Sequence, residues 1–596
     1  MILKLSLNGF KKQWRDYIVL FSGLIVAATI FYMFLAVTIN PELYKDSISL
    51  SSAALSIVFG MGEVFLGVVT FFYLIYANTF LLNMRQKEYG MFLTLGAKRS
   101  KLVQMIFFET LILGTVSTLI GILLGGVLTK VVGNLLISQL ELTIPTLSAF
   151  VFDAVLWTLV FFMALFLIAS FFNTQKLLRT PAIKLLKEAE RPAKLYGQKP
   201  IVRLIQAVLG VAFLAVAYAQ LMDFSMDNLK FKLSVIFFGI LIGTYLLFNS
   251  FFTVVINLLM KNKGLSYKKI RLFTMGQVKF RINSLNTVLS IASIMFALAL
   301  GAMAVGQRFQ DLNKKIVANE YAVMLSTKTK ALDSQIAKLH VKSDQSYDYK
   351  YAKDGKIYVN KTQLDQHPLY YKDLMHDMSE NPVTKKVTKK QLTKEFFPET
   401  SPFLMISNFK PKKLRYVSAT EFNKVQGLQK SLRYIRVKDI HQDLKVLQKI
   451  EILATKKDPV FQFSGYMNYR NGMMMTGAFR FMGYFLSLAF LTMLASTLMF
   501  KVLSAALQDK KRYEMLYKIG ASVKVMKASI RHELAITFIV PGVMGTINVI
   551  FGLNFFKKIF DNPWNGLWKE ALIFWVLYAL YYLVTVKIYQ KIVLKK

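Results

Sequence analysis

The 596-residue chain contains no cysteine, which excludes a disulfide framework and any thiolate metal site and leaves the redox compartment unread. Charge is sparse at 18% of positions, and acidic residues are scarcer still, 34 against 75 lysines and arginines. Hydrophobic residues fill 54% of the chain and the mean hydropathy is +0.41. A soluble domain of this size rarely shows that balance, so the bilayer is the expected solvent. No phosphate-cradling loop is present, because the Gly355-Lys356 pair lacks both the upstream glycine and the following hydroxyl. A nucleophile elbow, a paired zinc-binding histidine motif and a carboxylate pair of readable spacing are absent too. Four of the five histidines, His340, His367, His376 and His441, share one polar segment without metal-ligand spacing. The sequence therefore predicts a non-catalytic chain with no cofactor and no metal of its own.

Present instead are long apolar runs. A helix of about 20 residues crosses the hydrocarbon layer, and such runs occur at 17–38, 53–82, 102–128, 150–172, 201–221, 233–260 and 284–305. Three more, at 477–503, 534–556 and 571–586, follow a polar stretch. The first run is too long for the apolar region of a signal peptide and no small-x-small cleavage site follows it, so it is read as a retained helix. With the N-terminus inside, the six cytoplasmic segments hold about 35 lysines and arginines and the four short external loops about six. This asymmetry assigns the +41 net charge to a membrane protein with both termini cytoplasmic and excludes nucleic acid as its cause. The long polar segment carries about 31 basic and 17 acidic residues, but long domains translocate largely regardless of charge. Strand-like KIYVN (356–360) and LRYIRVKDI (432–440) alternate there with helical LDSQIAKLH (332–340), which predicts an α+β extracytoplasmic domain.

Two loops resemble one another. RQKEYGMFLTLGAKRSKL from Arg85 aligns with KKRYEMLYKIGASVKVM from Lys510 at an offset of 424 residues. Tyr89, Met91, Gly96 and Ala97 match Tyr513, Met515, Gly520 and Ala521, with Phe92 and Leu95 matching Leu516 and Ile519. The likeness continues through Ile106 and Ile530, Glu109 and Glu533, and Gly121 and Gly545. Tyr89, Phe92 and Leu95, like Tyr513, Leu516 and Ile519, recur at helical spacing, so each loop is expected to form a short amphipathic helix with one apolar stripe. Gly96 and Gly520 suit left-handed caps. A helix lying on the membrane surface would explain one copy; two copies favour paired docking helices for a two-lobed cytoplasmic partner.

The duplication divides the polytopic α-helical chain into about ten transmembrane helices in a 4+2+4 arrangement. Residues 1–175 form the first four-helix unit, 176–265 a linker with spans five and six, and 266–306 span seven, which opens the second unit. The α+β domain occupies 307–474, and 475–596 complete the second unit. Glu109 and Glu533 lie near the cytoplasmic ends of their spans, where a carboxylate is unfavourable unless paired or wet; functional coupling and snorkelling both remain open, with Lys101 and Arg531 as candidate partners. Gly121, Gly125 and Gly126 are expected to permit close helix packing, and Pro541 to kink span nine.

At the duplicated EYGMFLTLGAKR and RYEMLYKIGAS segments the chain resembles the FtsX-like, MacB-type permeases of ABC transporters, and both four-helix units are read as FtsX-like. The 4+2+4 layout, with one large domain between spans seven and eight, looks most like the bacitracin-resistance (Bce-type) permeases of Firmicutes. VSATEFNKVQG, from Val417, is similar to a segment often found in extracellular domains of this superfamily. The resemblance implies residence in a bacterial cell membrane. It implies a separate ABC ATP-binding subunit, in two copies, supplying ATP and Mg and docking on Tyr89, Met91, Phe92, Leu95 and Gly96 and on Tyr513, Met515, Leu516, Ile519 and Gly520. It also implies a nearby sensor histidine kinase, and nucleotide-driven closure transmitted outward without a conventional substrate channel. The external domain is shorter than is usual for Bce-type proteins, which leaves the substrate open. Its basic character attracts anionic pyrophosphate and lipid headgroups, so a peptide antibiotic together with its lipid-linked cell-wall precursor is the expected ligand. Two other readings stand beside this one. One is an ATP-driven regulator of a peptidoglycan hydrolase, as for FtsX itself. The other is an ATP-independent transporter or receptor, which would require intramembrane charged pairs around a cavity; the spans offer few candidates beyond Glu63, Glu109 and Glu533.

Overall fold

The computed structural model describes residues 22–40, 49–84, 86–139, 148–178, 200–223, 228–252, 254–255, 271–316, 321–372, 384–387, 406, 413–455, 457–557 and 559–594. Nine described helices are long and apolar enough to cross a bilayer, and a shorter apolar helix, α1 (Ser22–Thr38), stands where the first span is expected. Residues 17–21 of that expected span lie outside the described residues. The chain divides into two compact units, one of residues 1–307, 478–556 and 563–596, the other of residues 308–477 and 557–562.

The first unit holds two similar four-helix sets. α1, α2 (Ser49–Met84), the short α3 (Gln86–Thr94), α4 (Arg99–Gln139) and α5 (Phe152–Leu178) make the first repeat. α8 (Arg271–Ile316), α13 (Gly465–Lys518), α14 (Val523–Gly552) and α15 (Leu567–Val593) make the second. In each set the third membrane helix presses on the first through a glycine. A Cβ on Gly121 would lie 2.5 Å from Ala28 Cβ and 3.0 Å from the Ile25 carbonyl oxygen. One on Gly545 would lie 2.7 Å from Phe296 Cδ1 and 2.9 Å from the Ser293 carbonyl oxygen. In lipid no hydrophobic force separates helix from solvent, so such close backbone approach is what holds the bundle. α14 runs unbroken through Pro541, which is buried inside it.

The second helices of the two repeats meet. Tyr73 and Ser496 share a buried hydroxyl–hydroxyl hydrogen bond of 2.8 Å, and Gly62 makes room for Met482. The intervening pair, α6 (Pro200–Met222) and α7 (Leu229–Leu246), packs on the second repeat. There the Tyr218 ring stacks on Phe551 at 4.1 Å and its hydroxyl donates to Asn548 Oδ1. α7 ends in a π-turn, Leu247–Phe251, from which Asn249 and Ser250 both donate to Gln206 Oε1 while Asn249 Oδ1 accepts from Asn286 of α8. A short polar chain thus satisfies the side chains that the π-turn brings together.

The second unit is built on a five-stranded sheet in the order β1-β7-β2-β3-β6. Its strands are β1 (Val323–Leu325), β2 (Val341–Ala352), β3 (Ile357–Asn360), β6 (Leu414–Val417) and β7 (Gly427–Val437), with β4 (Tyr370–Lys372) and β5 (Thr384–Lys386) forming a separate pair. Side chains alternate across the strands. One face, with Val323, Leu325, Ile435 and Val437, packs on α9 (Lys330–Ile336) and α12 (Ile440–Ala454). The other, with Tyr347, Tyr349, Leu432 and Tyr434, packs on Leu364 of α10 (Lys361–Gln366) and on Val460. Burial holds the Tyr434 phenol protonated well above the usual range.

The VSATEFNKVQG segment ends β6, turns α11 (Ala419–Lys424) and enters β7. Ser418 and Glu421 close a capping box at its start. Buried Lys350 donates to the Phe422 and Val425 carbonyls at its end. The segment is therefore accounted for by packing. Residues 557–562, between α14 and α15, belong to this unit: buried Phe560 lies under the Arg308 guanidinium at 5.2 Å and meets Phe309 edge-on. A short linker between two apolar helices carries no pattern that would have announced this.

Candidate functional site

The two related loops fold into the same turn. After Thr94 the chain closes with Ala97 N donating to Phe92 O and Gly96 N to Leu93 O; after Lys518, Ala521 N donates to Leu516 O and Gly520 N to Tyr517 O. These are the paired bonds of a Schellman cap, which requires a left-handed residue. Gly96 at φ +89° and Gly520 at φ +97° supply it. A new helix starts three residues on, at Arg99 and at Val523, the latter capped by the Ser522 hydroxyl accepting from Val525 N.

The apolar stripe expected on each loop is split. Tyr89 and Tyr513, 2% and 3% exposed, turn inward. Tyr89 packs with Leu102, Met105 and Ile106, and Tyr513 with Met526, Ile530, Leu534 and Tyr589. Phe92 and Leu516 are half-buried on the same clusters. Met91 and Met515 face out, and Leu95 and Ile519 are 84% and 83% exposed at the tips of the turns. At each tip the surface open to a partner is a branched aliphatic knob on a glycine turn, flanked by a methionine, and at the second turn Tyr517, Val523 and Val525 are exposed beside it.

The support of the second turn differs from the expectation of a separate short helix. That turn ends the 54-residue α13, while residue 85, between α2 and α3 of the first repeat, lies outside the described residues. Among the described contacts the second turn is fastened by polar side chains. The Tyr513 hydroxyl donates to Glu533 Oε2 at 3.2 Å, and the Tyr589 hydroxyl donates to Asp509 Oδ2 at 2.6 Å. Arg512 completes the set with an ion pair to Asp509 at 3.3 Å. Glu533 thus finds a phenol one turn-and-helix away, and Glu109 occupies the matching buried position in the first repeat. Of the partners expected for these carboxylates, Lys101 is exposed and donates to Gln104 Oε1, and Arg531 is exposed. Asp509 and Tyr589 were not expected from the sequence, since neither belongs to the aligned motif. Glu63 of α2 accepts from Thr38 Oγ1 at 3.5 Å.

Among the described residues no group of three or more His, Asp or Glu could hold a metal ion, and His376 lies outside the described residues. His340 Nδ1 is 2.8 Å from buried Asp443 Oδ1, and the Tyr469 hydroxyl is 3.4 Å from His441 Nδ1. An apolar groove of about 450 Å³ between α6 and α7, lined by Phe213, Phe238 and their neighbours, offers no set of polar groups to orient a ligand.

Residues 60–182, which include the first turn, match the family described as FtsX-like permease C-terminal. The chain is 22% identical to the uncharacterised ABC transporter permease YvcS of Bacillus subtilis, over 98% of each chain. It is 22% identical to the bacitracin export permease protein BceB of Halalkalibacterium halodurans, over 99% of each. It is again 22% identical to BceB of Bacillus subtilis, over 51% of this chain and 47% of that relative. With the first turn inside the matched region and the same turn built a second time, the chain carries an FtsX-like permease domain within a membrane protein similar along its whole length to ABC transporter permeases.

Proposed function

We propose that this chain is the membrane subunit of an ABC transporter whose ATP-binding subunit, in two copies, seats the knobs Leu95 and Ile519 from the cytoplasm. The carrying observation is the pair of turns, identical in hydrogen bonding and in tip exposure though 424 residues apart. A leucine or isoleucine exposed over most of its surface is unfavourable in water and suits an apolar groove. ATP and Mg then belong to the partner, and the work of hydrolysis reaches an extracytoplasmic sheet unit.

The role proposed for that work is resistance to, or sensing of, peptide antibiotics that target the cell wall, with a sensor histidine kinase as a further partner. Support comes from two relatives named for bacitracin export and from the basic excess of residues 308–471, about 31 lysines and arginines against 17 acids, which favours an anionic cell-wall precursor. A mild-detergent pull-down of the tagged chain from its host, with mass spectrometry and an ATPase assay, should recover an ATP-binding protein. A preparation free of ATPase would overturn the reading and leave a stand-alone transporter or receptor. Deletion of the chain should raise peptide-antibiotic sensitivity; a change of cell shape instead would identify a regulator of a peptidoglycan hydrolase.

A further inference from the structure

The two turns keep some features place by place and others only in total. Knob, glycine and following alanine coincide at the 424-residue offset. The cations do not. Residues 94–104 carry Lys98, Arg99 and Lys101, residues 518–528 carry Lys518, Lys524 and Lys527, and neither stretch contains an acid. All six are exposed. Yet Lys98, Arg99 and Lys101 stand opposite Ser522, Val523 and Val525, while Lys518, Lys524 and Lys527 stand opposite Thr94, Ser100 and Val103. Within these two stretches each turn thus has three positive charges around its knob and no position is cationic in both, although Lys87 and Lys511, on the helix before each turn, do coincide.

An ion pair with a partner carboxylate needs its cation within about 4 Å at a fixed place. A steering field needs only the summed charge within roughly a Debye length, about 8–10 Å in physiological salt. Two turns that share a knob, a glycine and a methionine but scatter the cations beside them meet the second requirement and not the first. Resting on the docking reading above, we infer that each receiving pocket on the ATP-binding subunit has an apolar floor for Leu95 or Ile519 inside an acidic rim, and that the six cations accelerate association through their total charge. The knob fixes how long the partner stays, and the ring of charge fixes how fast it arrives.

The test uses the full chain in nanodiscs of phosphatidylcholine, which removes anionic headgroups as competitors, and the ATP-binding subunit that co-purifies with the parent chain. Association and dissociation rates are measured at low and high ionic strength for two variants. In one, Lys98, Arg99 and Lys101 are replaced by Gln. In the other, Lys98→Ser, Arg99→Val and Lys101→Val are combined with Thr94→Lys, Ser100→Lys and Gln104→Lys, so that the charge is moved and kept. Neutralisation should slow association about tenfold or more at low ionic strength and flatten its salt dependence, with little change in dissociation. The relocated variant should associate like the parent. A relocated variant as slow as the neutralised one would overturn the inference in favour of fixed ion pairs, and a neutralised variant as fast as the parent would show that the cations serve no partner. The docking reading fails separately, if replacement of both knobs by Asp leaves association intact.

Discussion

The first and second turns present the same tip on mounts built from different side chains. The first rests on a small cluster of Leu102, Met105 and Ile106, with Tyr89 and Glu109 buried behind it. The second rests on Met526, Ile530 and Leu534, with Tyr513 donating to Glu533 and Tyr589 to Asp509. What survives both mounts is the left-handed glycine, the outward Leu95 or Ile519, and the inward tyrosine. Features kept across different supports are those the tip itself requires, so the difference separates the contact surface from the lever behind it. The inward tyrosines belong to the lever.

The largest expected effect lies at the tips. Leu95→Asp and Ile519→Asp, made singly, should each weaken ATPase association by ~2 kcal/mol or more, as loss of a seated apolar anchor does, without altering insertion, because both side chains are exposed. Titration of the purified subunit against each variant checks this, and a loss confined to one turn would break the equivalence of the two sites.

Next come the packing glycines. Gly121→Ala and Gly545→Ala each drive a methyl against the first helix of their own repeat and should destabilise the purified chain by about 1–3 kcal/mol, read as a lower thermal midpoint in detergent. Similar shifts would sharpen the account of two copies of one helix packing; a silent Gly121→Ala would break it.

Tyr513→Phe keeps the ring and removes only the hydroxyl facing Glu533, for a predicted loss of about 1–2 kcal/mol, seen as faster hydrogen exchange around residues 513–533. Smallest are Gly96→Ala and Gly520→Ala. Nothing lies within 4 Å of either added methyl, so only the left-handed backbone is strained, by about 1 kcal/mol each, and their effects on association should match.

Much of this architecture is legible in the residues. Spans appear as apolar runs because a membrane helix must hide its backbone and offer lipid an apolar surface. The duplication appears because Gly96 and Gly520 mark positions where only a residue without Cβ is at ease. Which face of a 3.6-residue period turns inward is not legible there. Tyr89, Phe92 and Leu95 share a stripe by spacing, but the turn at Gly96 sends Leu95 outward while Tyr89 meets a helix that begins ten residues later. The Tyr513–Glu533 and Tyr589–Asp509 bonds join residues 20 and 80 positions apart, and β1 pairs with β7 across more than a hundred residues. Such pairings depend on the assembled bundle and sheet and leave no local pattern.

The most direct measurement is co-purification of the ATP-binding subunit with a chain carrying Leu95→Asp and Ile519→Asp together, set beside the parent and beside Tyr513→Phe as a variant altered behind the tip. The account predicts that the double variant inserts normally and loses the subunit while Tyr513→Phe keeps it. A double variant that retains the subunit at the parent's level would contradict the claim that these two tips are where the partner docks.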